Sequence, residues 1–487
     1  MRHAIAMVIV SAGSMVVEIV AARMMAPLVG MTVFSWTAVI TTVLAGLSVG
    51  HWIGGRLADC GPDQARRRVF ALLVATAAIT PVPILLIGPV HAVAEAAGIG
   101  WMAATVTVAA TCFLAPSLLA GAVTPILTAL AVAEAPTHPG AVIGRMFALG
   151  AAGAIVGTGL AGFILLQWIG SIGSLALVAG AEVIAAALYL RGLTAPIIGG
   201  CALLVILAEA GLALVVPRYC TVESRYFCLN DVDTTNWAGF PSHGLFMDGW
   251  IQSVEPTDGS TRLAINPHAF LDAWADRRHP PGADWTAFFI GGGGYSLPMR
   301  WVERWPNMVA TVAEIDPAVT AFAKTIGFRR DHDRIRIHDD DARSILRRTA
   351  DRYDLVFSDA YSGHTMPAHL VSVEFHRQVR AHLTEAGVYA INAHDWAQHP
   401  RFLAALVRTL EQVFPNVAVW VSSDAETRHG GRSTFAVLAS NDPMDRSPIS
   451  ETAPGNRTWT VLDSVPGVAT AVLLSDDYAP VDRLTLR

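Results

Sequence analysis

Four consecutive glycines, Gly291, Gly292, Gly293 and Gly294, are followed about 20 residues later by Glu314 and Asp316, then by Asp341 and Asp359. Backbone without Cβ atoms lets a ligand come close. A carboxylate at that remove can accept both hydroxyls of a ribose. An acid placed like Asp341 can accept from the amino group of an adenine. Each carboxylate taken singly has a plainer reading as a helix N-cap. Three of them in step with a glycine turn are more simply explained by an adenosyl group lying across Gly291–Gly294. A dinucleotide would need a second phosphate-binding turn, and the sequence shows none.

Those residues meet only if strands and helices alternate. Thr286–Ile290 is an apolar run of the kind found in buried parallel strands, and the glycines follow it directly. Tyr295–Trp305 reads as a helix. Met308–Val312 reads as a second strand leading to Glu314-Ile315-Asp316, and Pro317–Ile326 as the next helix. A third strand, Ile335–His338, runs into Asp339, Asp340 and Asp341; a fourth, Leu355–Ser358, ends at Asp359. Val388–Asn392, Val417–Val421 and Phe435–Ala439 read as later strands. This alternation predicts an α/β doubly wound, Rossmann-like sheet that binds ligands beyond the carboxyl ends of its strands. Ahead of it, Tyr219–Cys228 and Leu245–Ile251, the latter turning at Asp248-Gly249, predict a small β cap. A helical stretch, Ala269–Ala275, follows. Ser440–Pro480 carries no motif beyond the apolar run Ala469–Leu474.

The charge distribution divides the chain. Residues 1–217 hold 15 charged side chains, and the remaining 270 residues hold 59. With a mean hydropathy of +0.44, the first part reads as a multi-span α-helical membrane domain. The predicted organisation is a membrane domain at 1–217, a β-rich cap and linker helix at 218–283 and a nucleoside-binding catalytic domain at 284–487. Seven stretches of about 20 apolar residues are long enough to span a bilayer: 4–22, 33–55, 69–94, 101–132, 142–168, 172–190 and 195–216. The fourth contains Pro116 and Pro125, which predict a kink or a break. Gly46, Gly50, Gly54 and Gly55, and likewise Gly150, Gly153, Gly157 and Gly162, predict helix faces that pack closely. Glu18, Glu182 and Glu209 lie within apolar stretches, and a structural pairing of Glu18 with Arg23 is the plain expectation.

The arginines Arg56, Arg66, Arg67 and Arg68 cluster between the second and third spans and place the N-terminus inside. Seven spans would then put the polar part outside the cell membrane; six or eight would keep it inside. The side stays open. The polar part carries 26 basic against 33 acidic residues, which argues against nucleic acid as partner. Cys60, Cys112 and Cys201 fit no metal spacing. Cys220 and Cys228 read either as a disulfide or as free thiols.

Taken with their surroundings, these motifs resemble the spermidine synthase family, aminopropyltransferases with an S-adenosylmethionine-type methyltransferase fold. The resemblance covers roughly residues 219–440. It is carried by Met247-Asp248-Gly249-Trp250-Ile251-Gln252, Ile290-Gly291-Gly292-Gly293-Gly294, Glu314-Ile315-Asp316, Asp341-Ala342-Arg343 and Tyr353-Asp354-Leu355-Val356-Phe357-Ser358-Asp359. The apolar part resembles the multi-span region fused to some members. The resemblance implies that Gln252 contacts the nucleoside, Glu314 the ribose and Asp341 the adenine. It implies S-adenosylmethionine or its decarboxylated form as co-substrate, no metal, a small-molecule amine or membrane-proximal acceptor, and it is compatible with a homodimer. Three positions depart from the family pattern. Gly294 replaces the aspartate that holds the amine, Ser362 replaces the second aspartate after the fourth strand, and Asn266 stands near the expected tyrosine.

Three readings follow. The first is aminopropyl transfer, with Asp359 as base or amine ligand and Tyr361 and His364 shaping the site. The second is other chemistry on S-adenosylmethionine, either methyl transfer or sulfonium cleavage, with His364 and Tyr361 as proton acceptors. The third is a non-enzymatic transporter or sensor with a degenerate nucleotide-binding domain. For His364 the plain alternative is a loop histidine on the rim.

Overall fold

Long apolar runs satisfy their backbone polar groups most simply as helices, and the first part of the chain does so. The computed structural model describes residues 1–190, 219–363, 365–423, 431–451 and 457–485, with isolated positions between 200 and 211. It divides into two compact units, Met1–Arg225 and Tyr226–Arg487.

Five helices in the first unit are long and apolar enough to cross a membrane: Arg2–Val29, Val33–Ala58, Trp101–Glu134, Pro139–Trp168 and Gly170–Ala187. A sixth candidate is the pair Pro62–Ile79 and Val82–Ala96, bent by 50°. The break expected in the fourth apolar stretch therefore lies in the third. Pro81 sits at the bend, where it offers no N–H to continue the helical ladder, whereas Trp101–Glu134 runs on through Pro116 and Pro125 as one helix. Most of the expected seventh span, 195–216, and Glu209 with it, lies outside the described residues.

The glycine faces are close-packing surfaces. A Cβ at Gly50 would lie 2.2 Å from Leu118 O and one at Gly54 2.2 Å from Ala122 O; one at Gly157 would lie 2.2 Å from Ala12 O. Gly55 and Gly162 face open space and are not part of these seams. Arg23 turns to Glu223 (3.7 Å) in the short strand β1 (Val222–Glu223) instead of to Glu18. Buried Glu182 accepts from Thr80 Oγ1 at 3.4 Å. Cys220 and Cys228 are both disulfide-bonded.

In the second unit β2 (Cys228–Asp233), β3 (Ser242–Met247) and β4 (Trp250–Pro256) form the antiparallel cap. Asp248 and Gly249, with φ of 47° and 79°, make the turn between β3 and β4. Paired positive φ values match the right-handed twist of the flanking strands.

The main sheet contains β5 (Thr286–Ile290), β6 (Val309–Ala313), β7 (Ile335–His338), β8 (Tyr353–Ser358), β9 (Leu383–Trp396), β10 (Asn416–Ser422), β11 (Arg432–Ser440), β12 (Ile449–Ser450) and β13 (Thr458–Val461). Their spatial order is β12-β13-β10-β11-β9-β8-β5-β6-β7. The five strands from β9 to β7 are parallel; the other four join antiparallel. The sheet is thus mixed, with four antiparallel strands joined to the doubly wound part. Helices cover both faces. Asn266–Arg278, Ser296–Arg304 and Pro317–Thr325 contribute to one core, while Ala342–Arg348, Val373–Ala381 and Arg401–Glu411 contribute to the other. The motif-free stretch after Ser440 supplies β12 and β13 and seals the second core with Leu474, whose carbonyl accepts the Val373 N–H at 2.9 Å.

Candidate active site

β5 and β8 lie side by side, with Ile290 level with Ser358. The chain nonetheless leaves β5 toward β6 and β7 and returns to β8 on the other side. Such a reversal opens a crevice beyond the carboxyl ends of the two strands. The glycine run follows β5 into it and Asp359 follows β8, the Asp359 N–H donating to Ile290 O at 3.0 Å.

Packing within the protein requires most of the glycines. A Cβ on Gly291 (φ 98°) would lie 2.9 Å from the Asp359 carbonyl, and one on Gly292 would lie 2.7 Å from the Tyr295 ring. At Gly294 a Cβ would fall 2.4 Å from Ser253 Cβ and 2.6 Å from the Phe328 ring, so no carboxylate fits there. Gly293 (φ 48°) alone looks onto looser space, with Gln252 Cβ 3.9 Å from its missing side chain.

Glu314 is buried at the end of β6. Its Oε2 accepts the N–H groups of Gly292 (2.9 Å) and Gly293 (3.4 Å), and its Oε1 accepts that of Asp316 (3.0 Å). Burial pushes its carboxyl above the usual range, against the pull of these N–H donors. A carboxylate has about four lone-pair sites, so acceptor capacity is left for a ribose. Asp316 caps the helix Pro317–Thr325 by accepting from Ala318 N at 3.0 Å, and is buried in doing so. Asp341 caps Ala342–Arg348 through Ser344 N (2.9 Å), and its second oxygen meets His369 Nε2 at 2.8 Å. Both aspartates are helix caps, the plainer of the two readings given above; the Asp341 side chain remains 25% exposed. Ile315, 39% exposed between Glu314 and Asp316, offers an apolar surface there.

The chemistry gathers around Asp359. Its Oδ2 lies 3.0 Å from His268 Nε2 and its Oδ1 accepts from Asn392 Nδ2 at 2.7 Å. Burial alone would raise its carboxyl. The His268 contact and Asn392 outweigh that and hold it below the ordinary carboxylate range. Asn392 also lies 3.2 Å from His394 Nε2. Burial lowers the His394 ring to about 4, with nearby Asp359 opposing, so the ring is neutral at pH 7 and accepts from the amide. The Asn392 Oδ1 is a buried acceptor with no partner.

Tyr361 donates to Asn392 O at 2.7 Å and accepts from His394 N at 3.0 Å. Burial and the charge of Asp359 push its hydroxyl far above the ordinary value. Both hydrogen-bonding roles of the Tyr361 hydroxyl are thus committed to the β9 backbone. His364 lies outside the described residues. His268, Asn392 and His394 were not singled out from sequence. For the last two, their i, i+2 spacing at the end of a strand was the available signal. Among the described residues no group of three or more His, Cys, Asp or Glu side chains is placed to hold a metal ion.

Residues 286–442 match the spermine/spermidine synthase domain. The chain is 25% identical over 209 residues to the polyamine aminopropyltransferase of Vibrio vulnificus, covering 40% of this chain and 68% of that protein. It is 31% identical over 168 residues to a probable polyamine aminopropyl transferase of Bifidobacterium longum, covering 34% of this chain but only 36% of that protein. A probable spermidine synthase of Corynebacterium glutamicum superposes with a TM-score of 0.44 at 18% identity, over 52% of this chain and 94% of that one. With the glycine turn, Glu314 and Asp359 set around one crevice, the C-terminal part of this chain is a domain of the spermine/spermidine synthase family.

Proposed function

We propose that the second unit transfers an aminopropyl group from decarboxylated S-adenosylmethionine to an amine, and that the apolar helices anchor it as a multi-pass protein of the cell membrane. The observation that carries this reading is the juxtaposition of a glycine turn and Glu314 with the half-buried carboxylate of Asp359 at one switch point. Glu314, Gln252 and Gly293 would hold the ribose side, with Asp341 and Ile315 beside the adenine. The sulfonium is a ready leaving group, so the protein must chiefly bring nitrogen and carbon together and deal with one proton. Asp359, 19% exposed, is the carboxylate that would accept from the N–H groups of an incoming amine.

A second reading, different chemistry on S-adenosylmethionine itself, is favoured by the lack of room for a carboxylate at Gly294. Product analysis separates the two. Detergent-purified protein given decarboxylated S-adenosylmethionine and putrescine should release methylthioadenosine and spermidine in equal amounts. Release of S-adenosylhomocysteine from S-adenosylmethionine, with no spermidine from the first pair, would replace aminopropyl transfer by the second reading.

A further inference from the structure

We propose that the second unit works on the non-cytoplasmic side of the membrane, so that a transport step must supply its co-substrate; this rests on the membrane-anchor reading above. The helices of the first unit sort into two ends. At one end Arg2 Nη2 and His3 Nε2 meet Glu134 Oε1 at 2.9 and 3.0 Å, and His3 Nδ1 meets the Tyr189 hydroxyl at 2.8 Å. Arg66, near the start of Pro62–Ile79, lies 3.8 Å from the same Glu134 oxygen. At the opposite end of Arg2–Val29 and Trp101–Glu134, Trp101 Nε1 donates to Val29 O at 3.2 Å.

Tyr219–Arg225, the last part of the first unit, returns to this second end. Glu223 accepts the Ser171 N–H at 2.9 Å and the Ser171 hydroxyl as well. Arg23 donates to Ser224 O at 3.1 Å, and Arg225 donates to Gln167 Oε1 at 2.6 Å. Gln167 and Ser171 flank the turn between Pro139–Trp168 and Gly170–Ala187. The N-terminus and the passage into the second unit at Tyr226 are therefore at opposite ends of the helices. After Ala187 no described helix is long and apolar enough to cross a bilayer again.

Two independent features assign these ends to membrane faces. Arg2, Arg56, Arg66, Arg67, Arg68 and Arg145 lie at or near the first end, whereas the turns at 30–32, 97–100 and 169 contain no Lys or Arg. Arg23, toward the second end, is buried and paired with Glu223. Basic loops stay on the cytoplasmic side. The thiols give the same polarity. Cys60, at the arginine-rich end, is a free thiol, whereas Cys220 in the Tyr219–Arg225 segment and Cys228 beyond it are disulfide-bonded. Disulfides persist in oxidising compartments and are rare in the cytosol. The decarboxylated S-adenosylmethionine of the transfer reading carries a sulfonium charge, which is costly at the bilayer centre. If it is made in the cytosol, it reaches the second unit only by transport, and methylthioadenosine and the amine product are formed outside.

The test applies a membrane-impermeant maleimide to spheroplasts of a bacterial host that produces the full-length protein. Cys60 should be labelled only after permeabilisation, with Cys60→Ser as the control that identifies the signal. In the Cys60→Ser background, Asp477→Cys, at an exposed position of the second unit, should be labelled equally in intact and permeabilised spheroplasts. Labelling of Asp477→Cys only after permeabilisation would overturn the proposal while leaving the anchor standing. Release of the wild-type protein from membranes by alkaline carbonate would overturn the anchor, and the side with it. Right-side-out vesicles given external decarboxylated S-adenosylmethionine and putrescine should form methylthioadenosine, and inside-out vesicles should do so only once permeabilised. The reverse pattern would overturn the proposal. Inactivity of both, with Asp477→Cys labelled from outside, would remove the transfer reading and the supply step but uphold the side.

Discussion

The carboxylate of Glu314 reaches back 22 positions in sequence to accept the Gly292 N–H at 2.9 Å. One side chain therefore shapes the turn and lines the crevice. Glu314→Ala should weaken methylthioadenosine binding by at least ~100-fold. It should also lower stability by ~1–3 kcal/mol for each buried N–H left without an acceptor. Calorimetry and a thermal melt of the detergent-solubilised protein report the two effects. Unchanged affinity would mean that the carboxylate serves the turn alone.

Asp316 and Asp341 are both N-caps, but Asp316 is buried whereas the Asp341 side chain is 25% exposed. Asp316→Ala should cost ~1 kcal/mol of stability and leave nucleoside affinity within about twofold. Asp341→Ala should cost a similar stability and weaken the nucleoside about tenfold or more, the size of one lost hydrogen bond of ~1.5 kcal/mol. Equal affinity losses in the two variants would contradict this division of roles.

Asp359→Asn keeps the shape of the side chain and removes its charge. The expected outcome is a fall in kcat of ~100-fold or more with methylthioadenosine affinity within about threefold, read by product release and calorimetry. A matching loss of affinity would place Asp359 in the nucleoside site instead of the acceptor site.

His376 lies fully buried against the second core, with only the Val371 backbone near enough to oppose the effect of burial on its ring. Burial lowers its ring from 6.5 to about 3. The folded state then binds fewer protons than the unfolded state between those values. The stability due to the neutral ring is complete above about 6.5 and is lost as pH falls toward the folded value, at ~1.4 kcal/mol per pH unit. His376→Leu should flatten this acid-side loss. Melting temperatures at pH 7.5 and pH 5 should converge in the variant relative to wild type; an unaltered gap would assign the acid sensitivity to other groups.

Among the apolar helices, Gly50→Ala should destabilise by ~2 kcal/mol or more, because its methyl would collide with a backbone carbonyl. Gly55→Ala, with nothing within 4 Å of the new atom, should be neutral or slightly stabilising. Thermal stability in detergent distinguishes them.

How far these features could be read in advance depended on how local their cause was. Thr286–Ile290, an apolar run, and Ile335–His338, an alternating one, match to the residue because glycines or acids close them. β9 was seen as five residues and has 14. Its outer part carries half-buried His394 and buried Asp395, polar groups held because the fold supplies partners, such as the Leu403 N–H on Asp395 at 2.9 Å. His268 was invisible for the same reason: its partner Asp359 is 91 positions away, beyond any spacing rule. Gly294 was noticed as a departure, but the cause of it, Ser253 and Phe328 filling the space, appears only in three dimensions.

The nine-stranded sheet begins with a two-residue strand, β12, and ends with a four-residue strand, β7. Its margins thus present few unpaired backbone groups, and Arg336 and His338 stud the β7 side. A neighbouring chain could add a strand to such a border only briefly. The broad sheet is thereby guarded against the ribbon-like stacking that leads to aggregates.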